Sequence, residues 1–164
     1  MKKTLTLLFL LLLSLAVSAQ GNITINIAQD ARLAMFGDDK GNNAFTPNFT
    51  IRMEFQGYSN NAKTGYIFFA PEFEYADLAR AYKRYSFNVG ATLTAIERIP
   101  LSASVGYGIS EHYGGYLAFS GNLQAGYRFG RTTIFGDMQI ADRRELGVIR
   151  ISGFVGIKFN ITNN

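Results

Sequence analysis

The chain has 164 residues, with 16 Lys and Arg against 12 Asp and Glu, a single His and no Cys. The lack of cysteine excludes disulfides, thiolate metal sites and a lipidated-cysteine anchor; one histidine offers little to a transition metal, and no Lys/Arg stripe of the kind a nucleic-acid binder needs is present. With 17 Gly, 14 Phe, 9 Tyr and only 3 Pro, the composition suits many strands rather than helices.

Lys2 and Lys3 open the chain, an apolar stretch runs from Leu5 to Leu15, and Val17-Ser18-Ala19 places small residues where signal peptidase needs them. Cleavage is expected after Ala19, giving a signal peptide, 1–19, and a single domain, 20–164. The apolar stretch is too short for a spanning helix, which needs about 20 residues, and it has no rival elsewhere. Lys2 and Lys3 would leave with the signal, so the formal charge of +4 overstates the basicity of the mature protein.

Beyond the signal the period is two. In the first run Ile23, Ile25, Ile27, Leu33 and Met35 share one face and Thr24, Asn26, Asp30 and Arg32 the other, which predicts a strand from Ile23 to Met35. In the second, Phe49, Ile51, Met53 and Phe55 oppose Thr50, Arg52, Glu54 and Gln56. In the third, Ile67, Phe69, Phe73 and Tyr75 oppose Tyr66, Phe68, Glu72 and Glu74; Pro71 cannot donate to a ladder, which predicts a bulge or local break there. The fourth sets Tyr85, Phe87, Val89, Ala91 and Leu93 against Ser86, Asn88, Thr92 and Thr94, and the fifth sets Leu101, Val105, Tyr107 and Ile109 against Ser102, Ser104 and Ser110. The sixth, seventh and eighth repeat the pattern, with Leu117, Phe119, Leu123, Tyr127 and Phe129, then Ile134, Met138 and Ile140, then Ile149, Ile151, Val155, Ile157 and Phe159 on the apolar side.

Eight such runs predict an all-β fold, an eight-stranded antiparallel up-and-down transmembrane β-barrel. Tight turns near Asn60-Asn61, Arg98-Ile99-Pro100 and Gly130-Arg131 alternate with longer or more polar links at 37–46, 76–84, 110–115 and 141–147. In outer-membrane barrels the short turns face the periplasm and the longer loops face outward. Aromatics gather toward the run ends, with Phe49, Tyr75, Tyr85, Tyr107 and Tyr116 near one boundary and Phe55, Tyr127, Phe129 and Phe159 near the other, as membrane girdles do.

Periodicity alone leaves open which face points inward. A secreted lipocalin-like barrel with an apolar cavity would expose the polar face to water and fill it with charge, whereas here that face is mostly Gly, Ser, Thr, Asn and Ala, which suits a narrow barrel interior. The charges on it balance: Arg32, Arg52, Arg128, Arg150 and Lys158 against Asp30, Glu54, Glu72, Glu74 and Asp137. Unpaired charges in a lumen cost several kcal/mol each, so balance predicts an ion-paired, packed interior that does not conduct.

With these features the domain resembles the small outer-membrane barrels that include the transmembrane domain of outer-membrane protein A and the OmpX-like proteins. Tyr/Gly-rich strands such as Val105-Gly106-Tyr107-Gly108 and Gln124-Ala125-Gly126-Tyr127 look like the versions found in Bacteroidota. The terminal strand Gly153-Phe154-Val155-Gly156-Ile157-Lys158-Phe159 is similar to the signal such barrels present to the insertion machinery, with the departure that Asn160 to Asn164 follow the aromatic. The resemblance implies export by the Sec pathway, residence in the outer membrane, and outer-membrane lipid, lipopolysaccharide and the barrel-insertion machinery as partners, alongside an unidentified surface partner.

No cluster carries recognisable chemistry, and neither catalysis nor a cofactor nor a metal is expected. His112 lies in Ser110-Glu111-His112-Tyr113, and a lipid-modifying enzyme would need those side chains to converge; the lipid A deacylases use a His-x-Ser pair, but Tyr113-Gly114 follows His112. Asp38-Asp39 could hold calcium but reads more simply as a polar turn. Arg80, Lys83, Arg84, Arg143 and Arg144 are candidate lipopolysaccharide contacts, because loop cations beside the outer leaflet match phosphate geometry. A structural or surface-interaction role follows as the expectation.

Overall fold

The computed structural model describes residues 22–37, 42–57, 65–77, 82–96, 98–111, 116–143 and 148–162. The segment read as a signal peptide lies outside them. The elements are β1 (Ile23–Asp30), a short helix α1 (Ala31–Met35), β2 (Asn48–Gln56), β3 (Gly65–Ala76), β4 (Tyr82–Ile96), β5 (Ile99–Glu111), β6 (Tyr116–Phe129), β7 (Thr132–Arg143) and β8 (Val148–Asn160). Each strand pairs antiparallel with the next, and β8 pairs with β1 to close the barrel. The seam is bracketed at one end by Asn22 and Thr162: the Ile23 N–H donates to Thr162 Oγ1 at 3.0 Å, and that hydroxyl donates to Asn22 Oδ1 at 3.0 Å.

Following the pairing registers once round returns about ten residues further along β1, the stagger that tilts the strands of a closed barrel. β3 to β8 are 12 to 15 residues long, more than the roughly 9 to 11 that a tilted strand needs to cross a bilayer. No described helix is long and apolar enough to cross a membrane, so crossing falls to the strands.

Alternation assigns the faces. Thr24, Asn26, Arg52, Glu54, Glu72, Asn88, Thr92, Ser104, Asn122, Gln139 and Lys158 are buried in the lumen, while Ile27, Ile51, Ile67, Val89, Val105, Leu123, Ile134, Ile151 and Ile157 are exposed outside. This inverts a water-soluble protein, in which large apolar side chains are buried and charges lie outside. The physical solution is an apolar surround on all sides, a bilayer, around a polar core whose backbone groups are satisfied by closure of the sheet. The lumen also holds an apolar plug, in which Phe135 and Phe154 pack with Ala28.

One local expectation is corrected and another is met in one of its two forms. The first strand stops at Asp30 instead of continuing to Met35, because the Asp30 carboxylate accepts from the N–H groups of Arg32 and Leu33, each at 3.0 Å, and caps α1. At Pro71 the expected disturbance takes the form of a local break rather than a bulge: Arg52 opposite Glu72 and Phe55 opposite Phe69 keep one register, and the pairing between them lapses, since proline has no N–H to give. A register shift occurs separately where β4 meets β5, between Leu93 and Ile96, beside the Arg98 turn.

Candidate functional site

The lumen concentrates the buried charge. On its β2–β3–β4 wall Arg52 Nε donates to Glu72 Oε2 at 2.7 Å, Arg84 Nη2 donates to Glu72 Oε1 at 2.8 Å, and Ser86 Oγ donates to that same oxygen at 3.2 Å. Arg84 Nε also faces Glu74 Oε2 at 3.0 Å. Arg52 then reaches across the interior to Asp137 of β7 at 3.5 Å. A second cluster joins β8 to β2: Lys158 Nζ donates to Glu54 Oε2 at 2.9 Å, while Asn26 Nδ2 and Thr24 Oγ1 donate to the two Glu54 oxygens at 2.6 and 3.2 Å. Of these links, Arg52–Asp137 and Lys158–Glu54 tie together strands that are not neighbours in the sheet.

The alternation of each strand delivers these side chains inward, and burial makes each pair demanding. Two desolvated charges repay their loss of water only if the partner and the remaining hydrogen bonds are in place. Glu72 and Glu54 meet that condition, because each carboxylate is shared between a cation and one or more neutral donors. Asp30 is held differently, by the α1 backbone and by Asn48 Nδ2 at 3.2 Å.

Of the ten lumen charges read from the sequence, Asp30, Arg52, Glu54, Glu72, Glu74, Asp137 and Lys158 are buried. Arg32 is not among them: the turn into α1 swings it out of the strand and leaves it exposed. Arg128 is half-buried near the tight turn at Gly130, and the Arg150 side chain lies outside the described residues. Arg84 corrects the opposite way. Read as a loop cation for lipopolysaccharide, it is 1% exposed, hydrogen-bonded to Glu72 and ion-paired with Glu74 inside the barrel. The signal was present, since Arg84 shares parity with Ser86 and Asn88, but β4 begins at Tyr82, three residues before the run that starts at Tyr85. Among the described residues the buried charges are therefore five carboxylates and three cations, Arg52, Arg84 and Lys158, rather than five against five.

At the loop end Lys83 is exposed, on the outer face, opposite Tyr75 and Glu111. Arg80, Arg144, His112 and Asp38-Asp39 lie outside the described residues, as does the Arg143 side chain. Ser110 is fully buried and Glu111 exposed, so consecutive strand positions send them to opposite faces of the wall. Among the described residues no three acidic or histidine side chains gather as metal ligands would.

Shape, closure and inverted polarity define the class: a small eight-stranded transmembrane β-barrel. Within that class the fold is similar to Ail of Yersinia pestis, the attachment invasion locus protein. Against Ail in a phospholipid bilayer nanodisc the TM-score is 0.59 at 12% identity, covering 87% of this chain and 100% of that one. Against crystalline Ail it is 0.50 at 12% identity, covering 85% and 96%. Neisserial surface protein A aligns with a TM-score of 0.47 and 11% identity over 86% of this chain and 97% of that one. No protein-family model matches the sequence, and neither does any curated protein.

Proposed function

We propose that the protein is a non-enzymatic integral barrel of the outer membrane, with a plugged lumen and a structural or surface-contact role. The observation that carries this reading is the reversal of polarity around the closed sheet, with apolar side chains outside and ion pairs such as Arg52–Glu72 inside. The Tyr/Gly-rich strands and the terminal Phe159 support a relation to the OmpX-like barrels of Bacteroidota, and Lys2 to Ala19 support export by the Sec pathway. Phe159 also supports delivery to the barrel-insertion machinery.

Cross-lumen links between Arg52 and Asp137 and between Lys158 and Glu54 support a barrel that admits no solute stream. Arg80, Lys83, Arg143 and Arg144 remain the candidates for lipopolysaccharide phosphate, with Arg84 removed from that set. Ail is named for attachment, and the same scaffold here supports a surface partner reached through the loops.

Membrane fractionation with a heat-modifiability gel tests the reading. The protein is expected to sediment with the outer membrane and to change mobility on boiling. A soluble protein of unchanged mobility would mean that the apolar face lines a ligand cavity instead.

A further inference from the structure

We infer that the first loop carries an apolar knuckle, Met35, Phe36 and Phe45, that seats in the outer-leaflet interface of the membrane and completes an aromatic girdle the strands leave open. The inference rests on the membrane placement proposed above.

The gap in the girdle is visible strand by strand. At the loop end, outward aromatics run from β2 to β6: Phe49 beside Tyr75 at 5.6 Å, Phe73 beside Tyr85 at 5.2 Å, and Tyr107 beside Phe119 at 4.9 Å between ring centroids. On β7, β8 and β1 the outward residues toward that end are Met138, Ile140, Asp142, Ile149, Ile151 and Gln29, with no ring among the described residues. Rings with amphipathic character are favoured at the headgroup level all round a barrel. The helix α1 adjoins β1 and β8, on the side where the strands carry none.

Leu33 of α1 is buried and bonded through its N–H to Asp30, whereas the described segment at 44–47 leans to the outer side of the wall. Gln29 points outward, and its Nε2 donates to the Thr46 carbonyl at 3.0 Å, which draws the 44–47 segment onto the barrel's outer side. The knuckle is also pinned: the Phe45 N–H donates to the Leu33 carbonyl at 2.7 Å and the Phe36 N–H to the Arg32 carbonyl at 2.8 Å. Phe45 is held at φ 67, a left-handed conformation that a side chain with a β-carbon disfavours. Thus fixed, Phe36 and Phe45 stand 79% and 83% exposed, more than the belt residue Phe119 at 58%. Two phenylalanines held this far out, beside an apolar belt and within its missing arc, match a lipid interface: there the rings lose water without needing a shaped protein pocket.

The protein has no tryptophan, so Phe36→Trp and Phe45→Trp each create a single reporter, with Phe119→Trp as the belt control. Each full-length variant, shown folded by its gel shift, is reconstituted in phosphatidylcholine vesicles whose acyl chains carry bromine near the headgroup. Bromine quenches indole on contact, and both loop reporters are expected to lose at least about half their emission, a twofold change comparable to the control, because interfacial rings sit at that depth. If both stay unquenched while Phe119→Trp is quenched, the knuckle faces water or a protein partner and the inference fails. If Phe119→Trp is unquenched as well, the membrane placement itself fails and takes this inference with it.

Discussion

Arg52 on β2 and Asp137 on β7 meet at 3.5 Å across the barrel interior, although their strands never pair. The contact extends the tighter Arg52–Glu72–Arg84 chain from one wall of the lumen to the other. It makes the interior a set of struts whose removal has measurable consequences.

Glu72 is the hub, since both Arg52 and Arg84 depend on it. Glu72→Gln keeps the volume but removes the shared carboxylate, leaving Arg84 with Glu74 alone and Arg52 with only the longer contact to Asp137, at an expected cost of about 3–5 kcal/mol. Urea titration in detergent, read by the gel shift, checks this. An unchanged midpoint would show the network to be dispensable.

Lys158 and Glu54 form the ion pair of the second cluster, suited to a double-mutant cycle. Glu54→Gln and Lys158→Met are each expected to destabilise, and the double variant to recover part of the loss, with a coupling of about 1–3 kcal/mol. Strict additivity would mean that the two charges do not sense one another.

The lumen links also predict silence in planar bilayers. The pure protein is expected to show no steady single-channel current, whereas Arg52→Ser combined with Glu72→Ser and Arg84→Ser, which clears the chain of guanidinium and carboxylate groups, should conduct. Regular openings from the unaltered protein would overturn the plugged reading.

The face assignment has its own test. Val105 lies in the middle of β5 and is 70% exposed, so Val105→Arg places a charge at mid-membrane and should cost about 2–4 kcal/mol. A neutral result in lipid would place Val105 in water.

Asp30 is the hinge between β1 and α1. Asp30→Ala removes the cap and the Asn48 bond, and a lost helix cap costs about 0.5–2 kcal/mol. Protease treatment of reconstituted vesicles should then cut the first loop faster while sparing the barrel. Equal cleavage rates would show that the cap does not order the loop.

Period-two alternation was sufficient to read the strands and their faces, because in a barrel wall each residue has only two directions to point. Parity placed Arg52, Glu54, Glu72, Glu74, Asp137 and Lys158 on one face, and the small polar residues that share it marked that face as the inward one. What parity could not do was mark where a strand begins or ends. Arg32 continued the alternation in letters, yet the side chain of Asp30 bonds to the backbone ahead of it and turns the chain into a helix. Arg84 failed in the mirror sense, since a cation beside Lys83 looks like a loop until its carboxylate partners on β3 are known. Pairing distances across the lumen, such as Arg52 to Asp137, depend on barrel closure and leave no trace in a linear pattern.

At the seam, Ile23 and Asn22 bond directly to Thr162, so the first and last described stretches of the fold lie side by side. The barrel is thus a cyclic object that happens to be cut at one junction. A circular permutant, joined across that junction by a short linker and opened in the loop between β5 and β6, retains every strand pairing. The order in which the eight strands are synthesised then becomes a variable that can be changed independently of the structure they form.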